Sequence, residues 1–129
     1  VAGARSEDGK GFRDAMAQVM KGNRVLVQAG ANTTIGLVAT NVAMEKVQIA
    51  KVAQMAHDGY ARAINPVHTP GDGDTIFALA TGTLPNAKAN HGMIGALAAE
   101  AMAQAIVRAA TNAQTSAGVP GLRDWMPRS

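Results

Sequence analysis

The chain has 129 residues and a mass of 13.2 kDa, 47% hydrophobic and 16% charged, with a formal net charge of +3. That length suits one domain. The lack of cysteine excludes a disulfide framework, a thiolate nucleophile and a Cys-ligated metal, and the apolar content excludes a disordered chain.

Val1 to Gly11 reads as loop and lacks the charged-then-apolar layout of a signal peptide. With Val in first place, the chain reads as the product of leader removal or as an internal segment of something longer. Phe12, Ala15, Met16, Val19 and Met20 recur at helical spacing, with Ser6 or Asp8 as N-cap and Gly22-Asn23 as the stop. Arg24 to Gln28 reads as a short extended piece, and Ala29-Gly30-Ala31-Asn32 as small and flexible. From Thr33 the run TTIGLVATN is rich in β-branched residues and puts Ile35, Leu37 and Ala39 on one face, which predicts a buried strand.

Asn41 is placed to cap a helix from about Met44 to Ile64, with Val47, Ala50, Ala53, Met55, Ala56, Tyr60 and Ile64 near one stripe. Asn65-Pro66 stops it. His68 to Asp74 is a Gly/Pro/Asp loop that runs into a second buried strand, TIFALATG. After a loop from Leu84 to Asn90, a helix is expected from about Gly92 to Ala113. Its Glu100, Gln104 and Arg108 fall four apart, a narrow wet edge on an otherwise buried cylinder, and three such groups argue against a membrane span. Thr115 to Ser129 reads as a surface tail. Two strands alone do not make a stable sheet, so more sheet is expected from a partner segment or another chain.

The twelve Lys and Arg residues are scattered and few aromatics are available to stack on bases, so the basic balance reads as solvated surface and not as a nucleic-acid interface. The serines Ser6, Ser116 and Ser129 lie in loops or tails without a nucleophile elbow. His57, His68 and His91 lack metal-ligand spacing and read as ordinary polar residues. Asp72-Gly73-Asp74 lacks the twelve-residue calcium loop, and no glycine-rich phosphate loop opens a helix. No metal and no cofactor is expected.

Two features remain. Asn32-Thr33-Thr34 leads from a flexible loop into a buried strand; a plain strand start and an N-glycosylation sequon are the other readings. Asp72-x-Asp74 at the mouth of the second strand puts two carboxylates on one face of an extended chain, with Gly73 clearing space between them; a solvated turn is the other reading. Together they suggest one chemistry. A threonine hydroxyl needs a base, and its own α-amine serves once the preceding peptide bond is cut, with pKa ~7.7–8.0. A nearby carboxylate pair would orient that amine.

The stretches GANTTIGLVATN and MAHDGYARAINPVHTPGDGDTIFALATG resemble the self-processing L-aminopeptidase/D-esterase family, which includes the β-aminopeptidases and the nylon-oligomer hydrolase. The likeness covers about Gln28 to Ala113. It implies a precursor that cuts itself into an α and a β part, folded as an α/β four-layer αββα sandwich. This chain would contribute about two central strands and two long helices. It further implies cleavage between Asn32 and Thr33, with Thr33 as nucleophile and Asp72 and Asp74 as the acidic pair around it. Residues 1–32 would then be the end of the α part with the cleavage linker, and residues 33–129 the nucleophile-bearing β part.

The implied partners are the α part of the same precursor, a small peptide or amide substrate, and further αβ units in a homo-oligomer. Oxyanion donors would lie in the α part. Many aminopeptidase members have serine where this chain has Thr33, and other residues where it has Asp72, which sets it nearer the threonine branch. Aminopeptidase or amidase action is the leading expectation. Endo-cleavage of nylon-type 6-aminohexanoate oligomers and a catalytically inactive binding or structural homologue are the alternatives. The expectation is of a soluble protein, cytoplasmic or periplasmic.

Overall fold

A computed structural model describes residues 2–22 and 32–125. They form α1 (Ala15–Met20), β1 (Ile35–Thr40), α2 (Lys46–Ala63), β2 (Thr75–Ala80), α3 (His91–Asn112) and α4 (Leu122–Trp125). The fold is mixed α/β, and the chain divides into two compact units, Val27–Gln104 and Val1–Leu26 with Ala105–Ser129. The extended piece expected at residues 24–28, most of the flexible stretch after it and the last four residues of the tail lie outside the described residues.

In the unit Val27–Gln104, β1 and β2 pair in parallel, with Ile35 opposite Thr75 and Thr40 opposite Ala80. A parallel pair needs a crossover, and α2 supplies it, packing against β2. Val52, Ala56 and Tyr60 of α2 are fully buried, and Ile76, Ala98, Ala99 and Met102 complete this core. Glycine sets how closely the helices approach. A Cβ at Gly59 would run into the Ala99 carbonyl oxygen and sit 2.7 Å from Met102 Cβ, and one at Gly95 would strike Met55. These contacts give the Ala/Gly richness of the chain a mechanical reason.

The strands fall where the sequence places them, but their burial differs from expectation. Ile35 is 72% exposed, Leu37 63% and Phe77 60%. Alternation puts these residues on the sheet face opposite Gly36 and Ile76, which meet Tyr60 and the helix layer. One face is covered, and among the described residues the other is an apolar surface. α3 differs in the same way. Only Gly95, Ala98, Ala99 and Met102 are buried, and Met93, Leu97 and Val107 are exposed, so it is not a buried cylinder. Its wet edge is real: Glu100 accepts from Gln104 Nε2 at 2.9 Å and pairs with Arg62 of α2 at 3.4 Å. By length and composition alone α3 could cross a membrane; Gly95, Ala99 and Met102 place one side of it against protein.

The caps also shift. Glu45, not Asn41, caps α2, with its N–H donating to Gln48 Oε1 at 3.1 Å. The Asn41 carbonyl instead accepts the Leu84 N–H at 2.9 Å beyond the strand ends. In the other unit, Asp14 caps α1 by accepting the Ala17 N–H at 3.0 Å. Ser6 and Asp8 bind each other within a turn. Phe12 bridges to Arg5 and stacks on Trp125 at 4.6 Å, so it precedes the helix and does not belong to it.

Candidate active site

The parallel register brings together residues that are far apart in sequence. The pairing extends below the strands: Asn32 bridges Asp72, the Gly73 N–H donates to the Asn32 carbonyl at 3.0 Å, and the Thr75 N–H donates to the Thr34 carbonyl at 2.9 Å. Thr33 therefore lies opposite Gly73, and Thr34 opposite Asp74. All three sequence-predicted site residues, Thr33, Asp72 and Asp74, stand at this one edge of the sheet.

Thr33 is exposed, and its side chain packs on Gly73. A Cβ at Gly73 would lie 2.8 Å from Thr33 Oγ1, 3.6 Å from Cγ2 and 3.7 Å from Cβ. The room that Gly73 clears is thus occupied by the threonine hydroxyl.

The two aspartates bind differently. Asp74 Oδ1 accepts the Thr34 N–H at 2.9 Å, and its side chain is only 6% exposed. Its Oδ2 is buried, has no hydrogen bond among the described residues, and faces His68 Nδ1 at 2.9 Å. Asp72 closes its own loop: Oδ2 accepts the Thr69 N–H at 2.7 Å, and its backbone N–H donates to the Thr69 carbonyl at 2.9 Å. Asp74 therefore acts directly on the threonine backbone, whereas Asp72 shapes the loop beside Asn32.

Two residues that the sequence leaves as ordinary belong here. Tyr60 reads as packing on the α2 stripe, yet its hydroxyl lies 3.3 Å from both the Thr34 and the Thr75 carbonyl oxygens. It ties the starts of both strands to α2. Burial pushes the Tyr60 phenol above its ordinary value, and the Asp74 charge adds to that shift, so the group stays a protonated donor. His68 reads as an ordinary loop residue but meets Asp74, with its ring 5.0 Å from that of His57 and 6.0 Å from that of Tyr60. The available signal was the polar tip of Tyr60 on an apolar stripe and the histidine opening the loop that ends in Asp74.

Among the described residues no group of three or more His, Cys, Asp or Glu side chains is arranged to hold a metal. A cavity of about 510 Å³, lined by α2 residues between Lys46 and Gln54 and by His91, shares no residue with this cluster.

A hydroxyl seated on glycine, with a buried carboxylate holding the next peptide, is an arrangement suited to hydrolytic chemistry. The chain belongs to peptidase family S58, which it matches over residues 4–123. It is 43% identical over 108 residues to an uncharacterized aminopeptidase of Mycobacterium tuberculosis, covering 74% of this chain and 31% of that relative. It is 39% identical over 95 residues to a 6-aminohexanoate-oligomer endohydrolase of Kocuria sp., covering 66% of this chain and 26% of the relative. A 6-aminohexanoate-oligomer endohydrolase of Paenarthrobacter ureafaciens is 37% identical over 93 residues, covering 64% and 26%. The chain thus spans about a third or less of the length of these relatives.

Proposed function

We propose that this chain carries the nucleophile of a self-cleaving amide hydrolase, with Thr33 exposed as a new N-terminus when the Asn32–Thr33 bond is cut. The observation that carries the reading is the seat of Thr33 Oγ1 on Gly73, beside a buried Asp74 that binds the Thr34 N–H. In the precursor, Oγ1 attacks the Asn32 carbonyl carbon, the peptide C–N bond breaks, and the acyl group passes from nitrogen to oxygen. That shift frees the Thr33 α-amine; water then hydrolyses the ester, releasing the Asn32 carboxylate and restoring the Thr33 hydroxyl. The Gly73 N–H already donates to the Asn32 carbonyl oxygen at 3.0 Å, and this is the oxygen that gains charge during attack.

In the mature enzyme the α-amine, with pKa ~7.7–8.0, takes the hydroxyl proton as Oγ1 attacks a substrate amide. The substrate amine leaves, and water resolves the acyl-enzyme. Asp74 orients the Thr33–Thr34 peptide, and Asp72 holds the loop that carries it. No metal or cofactor enters these steps.

The open apolar face with Ile35, Leu37 and Phe77 supports a four-layer αββα sandwich in which the α part supplies the facing sheet. In that arrangement residues 1–32 end the α part, residues 33–129 form the β part, and αβ units associate further. The relatives' names support two substrate classes: small peptides or amides taken from the amino end, and 6-aminohexanoate oligomers cut internally.

Mass spectrometry of the full-length protein tests the mechanism. A β chain beginning Thr-Thr-Ile-Gly is expected; Thr33→Ala leaves the precursor whole and inactive, and Thr33→Ser retains processing. A Thr33→Ala protein that is still cut or still turns over overturns the reading. Aminoacyl-p-nitroanilides assayed beside 6-aminohexanoate oligomers separate the two substrate classes.

A further inference from the structure

We propose that His68 is a positioning residue for this reaction: its imidazole holds the buried oxygen of Asp74 and, through Asp74, the peptide N–H that follows the nucleophile. The inference rests on Thr33 being that nucleophile. Asp74 has two oxygens and two duties. Oδ1 takes the Thr34 N–H, while Oδ2 is buried without a hydrogen bond among the described residues and has His68 Nδ1 at 2.9 Å. A carboxylate held at one oxygen can swing about that contact; one held at both cannot. The 2.9 Å approach is a close contact and not a formed hydrogen bond; a turn of the ring aligns a proton on Nδ1 with Oδ2, in the neutral tautomer or the imidazolium.

The backbone is arranged to deliver that ring. His68 has φ +56°, in the left-handed region that few residues other than glycine adopt and where His, Asn and Asp are the most tolerated. Such a conformation persists where its surroundings impose it, and here it turns the side chain toward Asp74. α2 buttresses the ring, with His57 at 5.0 Å and Tyr60 at 6.0 Å between centroids. Among the described residues the titratable groups facing the imidazole are Asp74, His57 and Tyr60.

The consequence reaches the reacting atom. The Thr34 N–H belongs to the Thr33–Thr34 peptide, so a rotation of Asp74 turns that plane and swings Thr33 Cβ and Oγ1 with it. An error of about 1 Å in the attacking atom costs on the order of 10²-fold in rate.

Variants of the complete precursor separate ring from backbone. His68→Gly keeps the left-handed backbone and removes the donor. His68→Asn keeps the backbone and places an amide N–H near the position of Nδ1–H. His68→Asp has the shape of Asn but sets a carboxylate against Asp74. Self-cleavage rate, and kcat and KM on an aminoacyl-p-nitroanilide and a 6-aminohexanoate oligomer, are measured for each beside Thr33→Ala. We expect His68→Gly and His68→Asp to lose about 10- to 100-fold in cleavage rate and kcat with KM unchanged, and His68→Asn to recover to within about fivefold of the parent.

Wild-type rates in His68→Gly, or equal rates in His68→Asn and His68→Asp, overturn the proposal. If His68→Gly does not accumulate as folded protein, the isosteric Asn/Asp pair decides. An inactive Thr33→Ala beside unaffected His68 variants removes only the role of His68, whereas an active Thr33→Ala removes the nucleophile on which it rests.

Discussion

Gly73→Ala is the most discriminating perturbation of this site, because its added methyl group meets the threonine before anything else. The three heavy atoms nearest the new Cβ all belong to Thr33, with Oγ1 at 2.8 Å. That is several tenths of an ångström inside ordinary carbon–oxygen contact, so the hydroxyl must shift or turn to another rotamer. The φ of Gly73 is not left-handed, so alanine is tolerated by the backbone, and the Gly73 N–H bond to Asn32 survives. Removing a glycine stabilises by about 0.4–1 kcal/mol through the unfolded chain. A displaced side-chain rotamer costs about 0.5–1.5 kcal/mol. The net change in stability is therefore within about 1 kcal/mol, a Tm shift of no more than about 4 °C for a protein of this size or larger.

On the proposed mechanism reactivity should suffer far more, because the displaced atom is the one that would attack. We expect self-cleavage and kcat to fall about 10- to 100-fold while Tm barely moves. A time course of cleavage by gel and mass spectrometry, with calorimetry alongside, reads both quantities. The double variant Gly73→Ala/Thr33→Ser should recover part of the rate, since serine lacks Cγ2 and its hydroxyl turns more freely; the two changes are coupled, not additive. Wild-type cleavage by Gly73→Ala would mean that the seat of Oγ1 on Gly73 is not the reactive geometry.

Two further perturbations test the supports of the site. Gly59→Ala should destabilise by about 1–3 kcal/mol despite the better helix propensity of alanine, because its Cβ meets the Ala99 carbonyl and lies 3.0 Å from the Ala103 nitrogen, backbone that cannot step aside; a thermal melt showing stabilisation contradicts this. Tyr60→Phe should cost about 0.5–1.5 kcal/mol, since the Thr34 carbonyl keeps the Thr75 N–H as a donor. The Tyr60 phenol titrates above its ordinary 10.0 in the folded chain, so the unfolded chain loses this proton first. That contribution is fully present below pH 10 and is lost as pH rises through the folded value. Tyr60→Phe should therefore flatten the alkaline arm of stability against pH, and an unchanged arm would contradict the assignment.

Local pattern carried much of this fold. The β-branched run marked β1 and the apolar run after the Gly/Pro/Asp loop marked β2 within a few residues, Asn65-Pro66 ended α2 as expected, and the small residues of α2 and α3 proved to be points of close approach. Burial was less legible, because periodicity tells which residues share a face but not whether the facing layer belongs to the same chain. Ile35, Leu37 and Phe77 carry the composition of a fully covered strand and yet lie open here. Capping was missed where a nearer competitor existed: Asn41 has the right chemistry, but its carbonyl is engaged at the strand end and the helix begins at Lys46. Tyr60 and His68 were missed because their roles come from tertiary distance. An apolar stripe hides a hydroxyl that reaches two carbonyls, and a loop histidine has no spacing motif when its partner is a carboxylate and not a metal.

The seating of Thr33 on Gly73, with Asp74 bound to the Thr34 N–H, follows from the parallel pairing, and so does its precision. In a parallel pair the two strand starts lie at the same edge, and a slip of one residue would move every side chain to the other face. Register here is locked by contacts outside the strands themselves: the Asn32–Asp72 bridge, the Asp74 bond to the Thr34 N–H, and a Tyr60 hydroxyl shared between the first carbonyls. Gly36 is part of the same lock, since a Cβ there would lie 2.6 Å from Tyr60 Oη and 2.8 Å from Met102 Cε. The hydroxyl can approach the strand starts only because the neighbouring strand residue has no side chain. Placement of Thr33 thus depends on the α2 face as much as on the loop that carries Asp72 and Asp74. Because Tyr60 spans the Thr34 and Thr75 carbonyls, changes at Gly36 or Tyr60 act on the backbone beside Thr33.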